Sequence, residues 1–291
     1  MNEASQWRFA LAQQIGKAYA ANPKTQVVMV AGSTGRETAD RYSDLEIDVY
    51  YSAPPTLEER CATVERSGGI LLDLDEGDDE WAEEISLGGF HIGTSTFLVE
   101  TMERYLKEVL EYYSTNSLAQ IRLYSLLHAQ TLLGESLVSQ WVTRASAYPT
   151  PLVHAMLREN LNFEGFGYAE EMLAARDDLL RLYDIFCHVE RQILGALLGL
   201  NRIYLPNPGF KNMDELIVEM SITPPDLSQR LKQAFHLAPM DGVNSLHALI
   251  EDIFTLVETT VPEFDVVPYK ENMRQRRGVW DYAPDYRYPP E

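Results

Sequence analysis

Two short stretches of this chain carry residue types that can do chemistry together. The first is Gly32-Ser33-Thr34-Gly35-Arg36, which follows the apolar run Val27-Val28-Met29-Val30; the second is Asp44-Leu45-Glu46, shortly after it. A β-branched-rich run closed by Gly-Ser reads as a buried strand feeding a tight turn. A helix starting near Thr34 would then aim backbone N–H groups at a phosphate, with Gly32 permitting close approach, Ser33 adding a hydroxyl and Arg36 a further cationic contact. Downstream, Leu45, Ile47, Val49 and Tyr51 alternate with Asp44, Glu46, Asp48 and Tyr50. That period of two makes a second strand, with the Asp44 and Glu46 carboxylates on one face and Leu45 and Ile47 in the core on the other. Two such carboxylates can hold Mg2+, which is bound by one or two carboxylates plus substrate phosphate oxygens and neutralises charge as a nucleotidyl group moves. Asp48 continues the acidic face and reads as a solvated or salt-bridged residue beyond the metal. Either stretch alone reads as a hairpin with one wet face; at this spacing the pair favours a joint phosphate and magnesium site.

The elements that must position these residues are legible from periodicity. Trp7 to Ala21 places Phe9, Ala10, Ile15, Ala18 and Tyr19 at helical intervals, and Asn22-Pro23 ends the segment. The stretch from Asp73 to Glu84 is acid-rich, and Phe90 to Leu98 reads as another strand after a turn at Gly88-Gly89. From Met102 onward the texture is mostly helical, and Leu179, Leu182, Ile185, Phe186, Val189, Ile193, Leu197 and Leu200 predict a long helix central to a bundle. Ala147-Tyr148-Pro149-Thr150-Pro151 is the expected break. The fold class expected is therefore α+β: residues 1–148 form a domain with a small mixed β-sheet flanked by helices, and residues 149–291 an all-helical domain with an irregular C-terminal tail from Arg274. Asp226, after Thr223-Pro224-Pro225, is placed to cap the next helix.

Composition narrows the function classes. The 24 basic against 44 acidic residues give a formal charge of -20, which opposes the phosphate contacts behind most nucleic-acid affinity, so a long polynucleotide partner is not expected. A cationic small acceptor would be attracted by that field, although solubility is the simpler reading. No run approaches the about 18 apolar residues of a membrane helix, and the first residues lack a signal peptide's layout; the expectation is a cytoplasmic protein with no membrane partner. Cys61 and Cys187 lack metal-ligand spacing and read as buried thiols. His128, His154 and His188 lie in helical patterns without paired spacing and read as packed or exposed, not as ligands.

The string Gly-Ser-x-Gly-Arg-x-Thr-x-x-x-Tyr-Ser-Asp-x-Glu, from Gly32 to Glu46, resembles the signature of the DNA polymerase β-like nucleotidyltransferases, in particular the kanamycin and lincosamide nucleotidyltransferases. The resemblance implies Mg2+ at Asp44 and Glu46, and triphosphate contacts from Gly32, Ser33 and Arg36. It implies transfer of an NMP, AMP from ATP in the first instance, to a hydroxyl of a small-molecule acceptor such as an aminoglycoside-like or lincosamide-like antibiotic. The alternatives are a protein-modifying nucleotidyltransferase of the toxin-neutralising type and a degenerate, non-catalytic nucleotide-binding module. Family members place a third carboxylate on a later strand, where this chain has Phe90 to Thr96 with Gly93 at the expected position and no acid. Substitution by Glu83, Glu84 or Asp73, completion by the helical half, and loss of activity all remain open. The family's general base is a glutamate of the helical half, for which Glu159 is the candidate and Glu164 the runner-up, a plain surface glutamate being the simpler reading of either.

Overall fold

The computed structural model describes residues 1–77, 80–163 and 165–275, so Glu164 and the tail beyond Gln275 lie outside the described residues. The chain forms two compact units, one of Met1–Leu152 with Tyr204–Pro208, the other of Val153–Ile203 with the chain from Gly209 onward. In the first unit the order is α1 (Glu3–Ala20), β1 (Thr25–Val30), α2 (Gly32–Gly35), β2 (Leu45–Tyr51), α3 (Leu57–Ser67), β3 (Ile70–Glu76), β4 (Glu80–Leu87), β5 (Phe90–Leu98), α4 (Val99–Leu110), α5 (Ser117–His128), β6 (Gln130–Leu133) and α6 (Glu135–Ala145).

The six strands make one mixed sheet in the order β3-β4-β5-β2-β1-β6. Among the described residues only β2 and β5 run parallel, a pairing whose crossover is long enough to contain α3 and the β3–β4 hairpin. One face carries Val28, Val30, Leu45, Ile47, Val49, Ile85 and Ile92 into a core closed by Ile15 and Tyr19 of α1 and Val64 of α3. The other face is covered at one end only. There Tyr50 packs against Phe97 and Trp141, ring centroids 5.2 and 5.1 Å apart. Along β2 the second face therefore runs from the covered Tyr50, through buried Asp48, to exposed Glu46. The hydrophobic alternation that builds the core leaves the acids on the side where covering helices run out.

Several local expectations are revised. The helix expected near Thr34 is a single turn starting at Gly32, and Glu37 just beyond it takes φ +65°, a left-handed conformation that a right-handed helix does not continue through. The acid-rich stretch from Asp73 is a β-hairpin, β3 paired antiparallel with β4. A short edge strand, β6, interrupts the helical second part and pairs with β1. Cys61 is half-buried and Cys187 exposed, not buried thiols.

The second unit contains helices only among its described residues: α7 (Thr150–Asn160, which begins in the first unit), α8 (Phe166–Ala175), α9 (Leu179–Asn201), α10 (Met213–Glu219), α11 (Leu227–Ala234), α12 (Pro239–Thr260) and α13 (Val267–Arg274). The run from Gln192 to Leu200 is buried on all sides, as a bundle's central helix requires. Gly195 and Gly199, one turn apart, let α7 cross closely, since a Cβ at either would meet Asn160 or Met156 at 2.2 or 2.7 Å. Leu179, at the start of α9, is exposed instead of packed. Asp226 takes the N-cap position of α11, but its side chain makes no capping bond.

Candidate active-site cleft

The site is built on the turn that leaves β1. Gly32 adopts φ +60°, and the space beside its Cα is filled by the Glu46 carboxylate; a Cβ there would lie 1.8 Å from Glu46 Oε2. No side-chain-bearing residue fits without displacing that carboxylate, and the left-handed backbone adds its own strain. The Ala31 N–H donates to Glu46 O at 3.0 Å, tying turn to strand. Gly-Ser turn and acidic pair are thus one packed object.

A cleft of about 400 Å3 opens on this face of the first unit, with Gly32, Arg36, Asp44, Glu46 and Asp48 on one side and Arg122, Ser125 and His128 of α5 on the other. Asp44 stands just before β2 and, like Glu46, is exposed. Arg36 is half-buried and lines the cleft. Ser33 is half-buried and is not among the lining residues, so the hydroxyl contact expected of it is not part of the wall as it stands. Glu159 is exposed near the end of α7, in the second unit, and is no part of this wall.

Asp48 is buried, as a salt-bridged reading requires. Ser125 Oγ donates to its Oδ2 at 2.9 Å and Arg122 Nη1 lies 3.8 Å from Oδ1. Burial pushes the Asp48 carboxyl upward, opposed by Arg122 and Ser125. Arg122 also approaches Glu80 at 3.9 Å and lies 4.3 Å over the Phe97 ring, while its buried Nε makes no hydrogen bond. It is a cation beside the acids with donors to spare.

The three candidates for a displaced third acid are now separable. In register, Glu46 of β2 stands beside Gly93 of β5, which stands beside Glu84 of β4. Both carboxylate oxygens of Glu84 lie 3.8 Å from where a Cβ on Gly93 would be, so Glu84 reaches over the bare position into the cleft. Its Oε2 lies 2.7 Å from His91 Nε2, yet that buried oxygen receives no hydrogen bond of acceptable geometry. Glu83 points to the opposite face and is consumed by a buried pair with Arg60. Asp73 is exposed on the outer strand and does not line the cleft.

Among the described residues no three His, Cys, Asp or Glu side chains are gathered closely enough to enclose a metal ion. The donors nonetheless fit Mg2+ in kind: carboxylate oxygens gather on one wall, with the Glu46 carboxylate seated in the space that Gly32 leaves and Glu84 lining the same cleft.

No family model and no curated protein matches this chain. Among solved structures it is similar to a nucleotidyltransferase-like protein from Exiguobacterium sibiricum 255-15. The identity is 14% and the TM-score 0.40, over 93% of this chain and 81% of that one. No helix among the described residues is long and apolar enough to cross a membrane.

Sequence reasoning did not single out Arg122 or Ser125, and read His128 as a packed or exposed histidine. They recur at three-residue intervals and so share one helix face; polar residues at that spacing in the Leu-rich Leu118–His128 segment were the available signal. His128 stacks on Tyr124, centroids 4.0 Å apart, and its Nδ1 lies 2.8 Å from Tyr124 O.

Proposed function

We propose that the first unit carries the active site of a nucleotidyltransferase that moves an NMP, AMP from ATP in the first instance, to a hydroxyl of a small-molecule acceptor. The observation that carries this reading is the packing of Glu46 against Gly32, which joins a phosphate-approach turn and an acidic pair in one cleft. Asp44 and Glu46 would hold Mg2+, with Glu84 as the carboxylate that compensates for Gly93. The metal would supply charge neutralisation on the triphosphate. Gly32 is the proposed backbone contact to the phosphates, Ser33 the proposed hydroxyl contact, and Arg36 and Arg122 offer guanidinium donors to them. Glu159 is the proposed base for the acceptor hydroxyl, a role that needs hydrogen-bond reach and a suitable pKa. An antibiotic of the aminoglycoside or lincosamide type is the proposed acceptor class, favoured by the chain's net charge of -20.

The second reading is a nucleotide-binding module without turnover, favoured by Gly93 beside Glu46 and by the lack of a gathered three-donor group among the described residues. Pyrophosphate release from each of the four NTPs with Mg2+, against aminoglycosides, lincosamides and a cell lysate, separates the two. Acceptor-dependent release that disappears in the Asp44→Ala, Glu46→Ala double variant supports the transferase. Label from the α-phosphate appearing on a lysate protein would make the acceptor a protein. Saturable nucleotide binding with no release under any condition would leave the binding module.

A further inference from the structure

Between the Gly-Ser turn and Asp44 the chain runs through residues 37–43 without helix or strand. Its tip is a turn of its own, in which Asp40 Oδ1 accepts from Tyr42 N and Ser43 Oγ at 2.9 and 3.0 Å, and what fixes that turn to the rest of the unit is the start of α1. Asn2 Nδ2 donates to Ala39 O at 2.9 Å, and Ala39 N donates to Ser5 Oγ at 3.1 Å. Arg8 donates to Ser43 O from both Nε and Nη2, at 3.1 and 2.7 Å, and from Nη1 to Ala4 O at 2.9 Å. Ser5 and Arg8 are 0% and 2% exposed. The guanidinium is flanked by the rings of Trp7 and Phe90, 4.2 and 5.4 Å from their centroids. Burying a cation is costly unless its donors are used, and this one spends two of them on a single carbonyl, that of the residue immediately before Asp44.

We infer that Arg8, with Ser5 and Asn2, is a positioning residue: it clamps the 37–43 loop so that Asp44 is presented beside Glu46. The inference rests on the proposed nucleotide site. Its physical basis is that a misplacement of about 1 Å at a reacting centre can cost about a hundredfold, and the peptide bond of Ser43 and Asp44 transmits any slack in the clamp directly to the carboxylate.

The test is calorimetric titration, with Mg2+, of the α,β-methylene analogues of the four nucleoside triphosphates into the full chain, alongside thermal melts. Arg8→Gln should weaken binding tenfold or more, Arg8→Lys by less, and Ser5→Ala two- to fivefold. Tyr19→Phe is the control, because the Tyr19 hydroxyl bonds Glu83 and Thr94 on the opposite face of the sheet; it should lower Tm without moving affinity. Should Arg8→Gln fail to fold, Ser5→Ala decides. Wild-type affinity in the Arg8 and Ser5 variants, or equal weakening by Tyr19→Phe, overturns the clamp. A wild-type chain that binds none of the analogues overturns the nucleotide site itself, and the clamp with it.

Discussion

Glu83 and Glu84 are neighbours on one strand, yet they lead opposite lives because successive side chains leave a strand on opposite faces. Glu83 is 1% exposed, paired with Arg60, and the hydroxyls of Thr94 and Tyr19 reach its Oε2 at 2.6 and 3.2 Å. Burial, and next the Glu83 charge, push the Tyr19 hydroxyl pKa far upward, so the phenol stays a donor. Glu84 shares the cleft with Asp44 and Glu46, and its Oε2 lies 2.7 Å from Nε2 of the exposed His91. The same functional group is thus enclosed by buried partners on the face that α1 and α3 cover and left beside a surface histidine on the face that stays open. What separates a structural carboxylate from an available one here is the completeness of its partners, not its sequence context.

The largest effect expected from breaking this contrast is on folding. Glu83→Gln breaks the buried pair with Arg60 and should cost about 3–5 kcal/mol, read as a shift of the urea midpoint with unchanged slope. A midpoint equal to wild type would mean that the pair is not the anchor its burial indicates. Next, Glu84→Gln should leave the melting temperature within a few degrees of wild type while weakening Mg2+-dependent nucleotide binding about tenfold, or about 1.4 kcal/mol. Gly93→Asp in that background should restore part of it, since a Cβ at Gly93 meets nothing closer than the Glu84 carboxylate at 3.8 Å. Loss of stability in place of affinity would put Glu84 in the same class as Glu83.

The smallest effect concerns a carboxylate outside the cleft. Glu190, on α9, has a buried oxygen without a hydrogen bond, and burial pushes its carboxyl up to about 8 from 4.5. With the folded-state value above the unfolded one, the folded chain binds more protons between those two values, so stability falls as pH rises through that window. Glu190→Gln should abolish the fall, matching wild type near pH 4.5 and exceeding it near pH 8.5 by about 1 kcal/mol, a figure kept small because the side chain is only partly buried. Parallel melting curves for the two proteins across that range would show that burial does not hold the proton.

The α+β architecture and the placement of Asp44, Glu46 and Gly32 were legible in the amino-acid order because each rests on a local rule. Strand alternation puts Leu45 and Ile47 in the core and the acids opposite, and a glycine after an apolar run marks a tight turn. The edge strand β6 escaped notice because its four residues, Gln130–Leu133, have no alternation of their own and gain strand geometry only by pairing with β1. Glu83, Glu84 and Asp73 were interchangeable as third acids because the face each takes depends on hairpin register, including the irregularity between Leu71 and Asp73. Arg8 showed no chemistry at all in the sequence, its partner Ser43 being a backbone carbonyl 35 positions away.

The sequence by itself determined the elements on which the proposed chemistry rests: two strands, the turn between them, and a pair of carboxylates held to one face by a two-residue repeat. Only the tertiary structure decided which other groups share that cleft, bringing Glu84 across the bare Gly93 and Arg122 beside Asp48, and leaving Ser33 off the wall. The physical reason is the range of the forces involved. Backbone geometry and hydrophobic alternation act over a few residues and can be read in order along the chain, whereas charge pairing and burial depend on what packing brings near from elsewhere.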